Sequence, residues 1–562
     1  MADTPVHAHA HQGAAPAAPP KMKKYSPSTA VDFVIVGSGS AGGIVARELS
    51  RAGFSVVVLE QGPWLQTADF KHDELWIGPL HGITNDPKTQ PSTFRATEAE
   101  TAKLKPWIQY GRVVGGGSVH FSANFWRFPE LEFEQATRFG VPDGSSIADW
   151  PIKYADLEPY YTKVEWEVGV SGLAGNPFEP PRQKGYPMPP LPIKSEGALL
   201  EIGAKKMGWT PWPAPMAILS QPRSGRGACL ACGFCFGMGC EAGAKGSTLV
   251  SMIPAALATG RCEIRPHSYV SRVETGANGR VTGIAYFDKD KKEVVQRAKA
   301  VVLCANGVET PKLLLLSASP AHPQGLANSS GLVGRNMMFN GFQMAGGVFE
   351  HPVNGWKGVV ASRVVWDQVL MPKETGLYGG GGFDFRSMMT PVSAGIFTPG
   401  WGRDWKQKMR ATLSNVVYAA GHETQLPQAK NRVDLDPTVK DAWGLPAPRL
   451  TFSSHPNDLQ MDQWYLAKGK ELLLAAGATS VYDAFTGPGD NGPHLLGTCR
   501  MGNDPATSVV DADNRAHDVP NLFIVDGSSL VTGGRGQPTM TIMALAFRAG
   551  ARISKLAKSG KI

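Results

Sequence analysis

The chain has 562 residues, 42% of them hydrophobic and 19% charged, which excludes a disordered polypeptide, while 65 Gly and 44 Pro exclude a coiled coil or plain helical bundle and require many tight turns. At about 150 residues per domain this length allows about three or four units, and interleaved two-domain enzymes reach the same size. The net charge of +8 is spread along the chain with no run of five or six basic residues, so no nucleic-acid or anionic-lipid patch is expected.

No apolar stretch reaches the roughly 18 to 20 residues that cross a bilayer, so no direct membrane span is expected. The start, MADTPVHAHAHQGAAPAAPP, lacks a basic leader and an apolar core. Cytoplasmic residence is the default expectation, with periplasmic residence if a signal-bearing partner carries the folded chain. Residues 1–28 read as a disordered tail in which His7, His9 and His11 alternate.

Residues 31 to 60 read as a strand, a glycine turn, a helix and a second strand. Gly37, Gly39 and Gly42 fit G-x-G-x-x-G, which supplies the tight turn, the close backbone approach to a pyrophosphate and the helix-to-strand contact. Glu60 closes the second strand, where an acid accepts hydrogen bonds from a ribose and disfavours a 2′-phosphate. A second glycine loop, GRVVGGGS, occupies Gly111 to Ser118. Four of the seven cysteines then crowd into CLACGFCFGMGC: Cys229, Cys232, Cys235 and Cys240. The first three have bacterial-ferredoxin spacing, and the residues leave open an iron-sulfur cluster, a zinc site or a structural thiol loop. Cys262, Cys304 and Cys499 read as buried hydrophobes.

From 266 to 303 short alternating runs (Tyr269 to Val273, Val281 to Phe287, Glu293 to Arg297) predict a β-meander, followed by a separate strand at Ala300 to Leu303. Thr310 is placed to cap a helix with Pro311 at its first position. Residues 340–490 show no helix-strand alternation and predict an antiparallel-sheet lobe. Order returns with a strand at Leu522 to Val525, the turn at Asp526 and Gly527, and a helix over Thr539 to Ile553.

Taken in order, VIVGSGSAGGIVA with Glu60, GRVVGGGSVH, ANGVETPKLLLLS, HLLGTCRMG, and NLFIVDGSSLVTGG with PTMTIMALAFR resemble the glucose-methanol-choline (GMC) family of flavin oxidoreductases over nearly the whole chain. The resemblance implies an α/β (α+β overall) two-lobe fold with a Rossmann-like FAD-binding domain and an antiparallel-sheet substrate domain. The FAD-binding domain is expected at 29–160, 225–339 and 491–562, and the substrate domain at 161–224 and 340–490. It also implies an enzyme that oxidises the CH-OH group of a sugar, glycoside, polyol or other alcohol. The family's base falls on His494, an imidazole able to take a hydroxyl proton at neutral pH while hydride leaves for flavin N5.

The family's second catalytic position, His or Asn, falls on Gln537, which is one methylene longer than Asn. Arg535 is placed either near the flavin or on the surface. FAD contacts are expected from Gly37, Gly39, Ser40, Gly42, Glu60, Arg112, Gly116, Ser118, His120, Asp526, Gly527 and Thr539. The segment ending at His120 is similar to one in pyranose oxidases whose histidine is joined covalently to the flavin, and to loops of cluster-containing dehydrogenases where it need not be.

Similarity to cluster-carrying sugar dehydrogenases implies a [3Fe-4S] or [4Fe-4S] cluster on the four crowded cysteines and an electron-acceptor or cytochrome subunit. Similarity to long-chain alcohol oxidases implies a cysteine loop without a cluster and re-oxidation by dioxygen. A redox-silent lyase and a non-catalytic nucleotide-binding or electron-transfer subunit on the same scaffold are the remaining readings.

Overall fold

The computed structural model describes residues 22–78, 80–105, 110–387, 390–398, 400–486 and 492–562. Its first sheet has seven strands in the order Cys262–Arg265, Val56–Leu59, Val31–Val36, Glu293–Leu303, Val281–Phe287 and Tyr269–Thr275, with Leu522–Ile524 also paired to Glu293–Leu303. The strands around Val31–Val36 are parallel, in register Val34 with Val57 and Val34 with Val301. They are buried on both faces, as their unbroken Val, Ile and Leu content requires. The helices Gly42–Arg51, Tyr154–Val168 and Thr539–Lys558 pack against one another beside this sheet.

Three expectations change here. The meander's third run and the next strand are one element, Glu293–Leu303, antiparallel to Val281–Phe287 in its first half and parallel to Val31–Val36 in its second. No turn residue separates the halves, so the chain runs on from one sheet neighbour to the next. Thr310 does not cap its helix, Glu309–Leu316; the Asn306 side chain accepts from the amides of Val308 and Glu309, and the Thr310 hydroxyl donates instead to Asp526. Residues 22–28, expected within a disordered tail, are held on the sheet edge: the Tyr25 amide donates to Glu263 and Arg265 donates to the Tyr25 carbonyl. Residues 1–21, with His7, His9 and His11, lie outside the described residues.

The second lobe is built on an antiparallel six-stranded sheet in the order Ser480–Phe485, Gly341–Val348, Val416–Glu423, Gly381–Arg386, Arg363–Val365, Pro211–Pro213. Strand periodicity sorts its side chains. Ala345, Phe383, Phe385, Val417 and Ala419 pack with Met461, Tyr465, Leu472 and Leu473 of the helix Pro456–Ala475. The alternate residues Phe342, Met344, Asp384, Arg386, Ala420 and His422 fall on the opposite face. The 20-residue helix was not singled out in the sequence: Pro456 at its first turn and the reciprocal cap between His455 and Asp458 start it. A third sheet joins Arg432–Lys440 and Pro446–Thr451 to Thr93–Arg95 and Lys103–Leu104, linking distant parts of the chain.

Helix Glu309–Leu316 is tied to this region by a buried charge. Lys312, 3% exposed, lies 3.3 Å from Asp441 and 3.6 Å from Glu309, and donates to the Tyr269 hydroxyl at 2.9 Å. Burial opposes the ammonium, but Glu309, Tyr269 and Asp441 together hold its pKa above that of a free lysine. Lys312→Met leaves Asp441 charged and buried without its cation, so denaturant unfolding is expected to show a loss of about 3–5 kcal/mol, partly recovered in Lys312→Met with Asp441→Asn.

Candidate active site

The parallel strands end at one cavity of about 630 Å³. Val36 and Gly37, Leu59 and Glu60, Cys304 and Ala305, and Asp526 and Gly527 all line it. This is the carboxyl-end crevice where open α/β sheets bind ligands. Gly37 has φ +92°, and a Cβ added to Gly42 would lie 1.9 Å from the Gly37 carbonyl oxygen, so the first loop closes on itself only as glycine. A Cβ on Gly116 would lie 2.7 Å from Gly39 Cα, so the two glycine loops touch. Ser38 joins them: its hydroxyl accepts from the Gly115 amide at 3.0 Å and donates to Glu60 Oε2 at 2.7 Å.

Of the expected cofactor contacts, Gly37, Gly39, Ser40, Glu60, Gly116, Ser118, His120, Asp526, Gly527 and Thr539 line the cavity, whereas Gly42 and Arg112 stand behind the wall. Burial raises the Glu60 pKa, and bonds from Ser38 and Gly62 oppose that rise. Its Oε1 takes only the Gly62 amide among these bonds and keeps acceptor capacity. Asp526 is spent internally: Oδ2 accepts from Thr310 and Asn306, and Oδ1 from the amide and hydroxyl of Ser528. Helix Thr539–Lys558 brings its amino end to the cavity, with Gln537, Pro538 and Thr539 in the wall.

His120 is half-buried, its Nε2 is buried with no partner among the described residues, and desolvation followed by the nearby Lys245 charge lowers its pKa to about 4. His494 lines the other end of the cavity, where burial, then the neighbouring His422, lowers its pKa to about 3. Gln537 and His422 are joined by a 3.1 Å hydrogen bond. Phe342, Met344, Val360 and Phe485 add an apolar wall.

His422, Asp384 and Arg386 were not singled out in the sequence. His422 bonds Asp384 at 2.7 Å, and Asp384 pairs with Arg386 through both carboxylate oxygens. A partial signal was present: in Gly-Gly-Phe-Asp-Phe-Arg the polar Asp384 and Arg386 alternate with the core residues Phe383 and Phe385, and in Val-Val-Tyr-Ala-Ala-Gly-His-Glu His422 falls on the face away from the helix. Arg535 takes neither expected place. It is buried behind the cavity, bonded to the Val369 carbonyl and 3.4 Å from Glu132.

Cys229, Cys232, Cys235 and Cys240 line one small cavity of about 20 Å³, with room for about one water. Among the described residues no three His, Cys, Asp or Glu side chains stand where a single metal ion could be held. The thiol positions described therefore fit no mononuclear zinc site. The loop does touch the larger cavity through Phe236 and Gly237. Lys245, buried beneath it, donates to the carbonyls of Phe121, Cys235 and Met238.

The glycine loops, Glu60 and the crevice at the strand ends are those of a dinucleotide-binding α/β protein. Family models described as GMC oxidoreductase match residues 31–340 and 427–546. A 2-methyl-1,2-propanediol dehydrogenase of Mycolicibacterium austroafricanum is 34% identical, with 93% of this chain and 95% of that one covered. The fructose dehydrogenase large subunit of Gluconobacter japonicus is 31% identical over 94% and 98%. A gluconate 2-dehydrogenase flavoprotein of Pantoea cypripedii is 30% identical, with 92% of each chain covered. Pyridoxine 4-oxidase of Mesorbium loti has the same fold, with TM-score 0.63 at 19% identity over 93% of this chain and 98% of that one. The chain belongs to the GMC oxidoreductase family.

Because its pKa is lowered, the His494 ring is expected to stay neutral as the pH falls from 8 to 5. Nuclear magnetic resonance of 15N-histidine-labelled protein, assigned by His494→Gln, checks this; titration near the ordinary value of 6.5 would contradict the dry environment described here.

Proposed function

We propose that this chain is an FAD-dependent dehydrogenase that oxidises the CH-OH group of an alcohol, polyol, sugar or glycoside and delivers the electrons to an acceptor other than dioxygen. The observation that carries this reading is a single cavity running from the touching glycine loops and Glu60 to a half-buried imidazole, His494, that desolvation keeps neutral. The residues present fit the cofactor: the glycine cradle admits a phosphate where any Cβ would clash, Glu60 retains acceptor capacity, and buried His120 Nε2 has no protein partner. Gly37, Gly39, Ser40, Glu60, Gly116 and the amino end of helix Thr539–Lys558 would hold it. When bound, FAD supplies the acceptor, at N5, for the hydride leaving the carbinol carbon.

The chain's own groups do the rest. His494, already neutral, takes the hydroxyl proton without first having to lose one. Gln537 offers an amide N–H to the same oxygen and holds it as its charge develops. Phe342, Met344 and Phe485 keep water from the reacting carbon. The relatives at 30 to 34% identity carry dehydrogenase names and act on a diol, gluconate and fructose, which supports both the substrate class and the acceptor. The name "large subunit" belongs to an assembly and supports a protein acceptor here. Dioxygen as acceptor is the second reading, favoured by a paromamine 6'-oxidase of Streptomyces fradiae at 29% identity.

Purified holoprotein mixed anaerobically with a vicinal diol, fructose or gluconate is expected to lose its flavin absorbance with at least one of them. A flavin that none bleaches, while the protein still eliminates or adds at the substrate, would establish the lyase. His494→Ala is expected to lower the reduction rate by about 10² to 10⁴. In air, little peroxide and fast reduction of an added dye are expected, and stoichiometric peroxide would establish the oxidase. Acid precipitation reports on attachment in the same sample: flavin in the pellet that His120→Ala releases means a covalent bond to His120, and a yellow supernatant from the wild type means none.

A further inference from the structure

The second histidine of the cavity comes from the substrate lobe. His422 lies on strand Val416–Glu423 opposite Gly382, one residue pair from Asp384 on the same sheet face. It is 2% exposed, between the edge of Trp126 and the ring of Phe342. Nε2 lies 2.7 Å from Asp384 Oδ2, and Nδ1 lies 3.1 Å from Gln537 Nε2.

Donor and acceptor counting settles how this chain is polarised. Burial alone would raise the Asp384 pKa, but Arg386 and His422 overcome it and keep the carboxylate ionised. An ionised carboxylate only accepts, so the ring nitrogen facing it must carry the proton. Arg386 Nη2 also lies 3.2 Å from that nitrogen, but it is bonded to Asp384 Oδ2 at 2.5 Å. That contact is two donors crowding one oxygen. The opposite tautomer would set a lone pair against the carboxylate at 2.7 Å. Burial keeps the ring neutral, so with Nε2 protonated, Nδ1 is a bare acceptor.

Gln537 must then turn its amide nitrogen, and not its oxygen, to His422. One N–H is used there; the other is left for the cavity, whose wall also holds His494, close enough to His422 for the two rings to interact electrostatically. The backbone is built for this contact. Gly536 has φ +125°, and a Cβ there would lie 2.8 Å from His422 Cβ. Asn340 holds the same turn by donating to the carbonyls of Gly533 and Gly536. The extra methylene of Gln over Asn gives the reach to a histidine from the other lobe.

We propose that His422 is a positioning residue for alcohol oxidation: anchored on Asp384, it fixes the Gln537 amide so that an N–H, never the carbonyl, meets the substrate oxygen beside His494. This rests on the oxidoreductase reading of the cavity.

Two variants separate the ring's two bonds. In His422→Asn the side-chain oxygen replaces the Nδ1 acceptor and the bond to Asp384 is lost; in His422→Gln the amide nitrogen replaces the Nε2 donor and the acceptor for Gln537 is lost. With a substrate that bleaches the wild-type flavin, the limiting reduction rate of His422→Gln is expected to fall about 10- to 100-fold with apparent substrate affinity little changed. His422→Asn is expected to keep most of the wild-type rate. The reverse order would mean that His422 serves only the Asp384–Arg386 pair, and would overturn the proposal.

Gln537→Asn, which cannot reach His422, is expected to match His422→Gln, and the double variant to be no slower than either; additive losses would also overturn it. A readout independent of turnover is the 15N spectrum of His422 in the holoprotein. A ring protonated at Nε2 with a bare Nδ1 is expected. Protonation at Nδ1 would sink the proposal even in an active enzyme. Failure of every alcohol to reduce the wild-type flavin would instead remove the oxidoreductase reading on which it rests.

Discussion

The Asp384 carboxylate is buried, receives Arg386 through Nε and Nη2, and also takes hydrogen bonds from His422 and Asn124. A lone carboxylate in such a place costs several kcal/mol of lost hydration, and the pair with Arg386 brings the local charge back to zero. That neutrality governs the imidazoles beside it. An unbalanced anion would draw His422 to its charged form; a charged His422 could not accept from Gln537 and would disfavour charge on His494. With the ion pair intact, desolvation keeps both rings neutral. The protonation of the inner cavity's histidines therefore depends on a buried salt bridge.

The same logic explains how two lobes make one cavity. On the nucleotide side, hydrogen bonds between remote loops replace what a continuous element would provide: Ser38 to Gly115 and Glu60, Thr248 to the Ser38 carbonyl, Asp526 to Asn306 and Thr310. Each of these side chains lies next to a cavity-lining glycine or strand end and keeps the backbone in place there. Asp526 in particular contributes stiffness: four donors from two segments converge on its two oxygens, so the turn after Leu522–Ile524 and the turn before Glu309–Leu316 move as one. The substrate side contributes a sheet face, where period-2 alternation delivers Phe342, Met344, Arg386 and His422 to the cavity while their sequence neighbours build the core under helix Pro456–Ala475.

Legibility in the sequence followed the range of the interaction. The nucleotide loop, the acid at 60, the second glycine loop and the C-terminal strand-turn-helix were readable because each is set by glycines and apolar runs within some 30 residues. The long strand Glu293–Leu303 was split because its alternating half and its apolar half obey different burial patterns, one face covered in the meander and both in the parallel sheet. Helix Pro456–Ala475 was missed although its cap is local, because Asp458, Asp462 and Gly469 interrupt the apolar character of its buried stripe. His422, Asp384 and Arg386 could be assigned to a strand face, but their meeting is a product of pairing between strands 38 positions apart, which one sequence does not display.

Lys245 shows how far a motif can be read without its context. The four nearby cysteines announce themselves by spacing, yet what fixes the loop against the wall of the larger cavity is the lysine of the Gly-Ala-Lys-Gly stretch that follows them. Burial lowers its pKa, and the thiols are the groups whose charge would raise it; within its bonding shell the ammonium is solvated only by the carbonyls of Phe121, Cys235 and Met238. A cation that satisfies three carbonyls on two loops at once sets the distance between those loops, since either loop moving away strands a donor in a dry interior. The cysteine loop is therefore rigidly joined to the residues beside His120, and its Phe236 is held in the cavity wall whatever the thiols themselves carry.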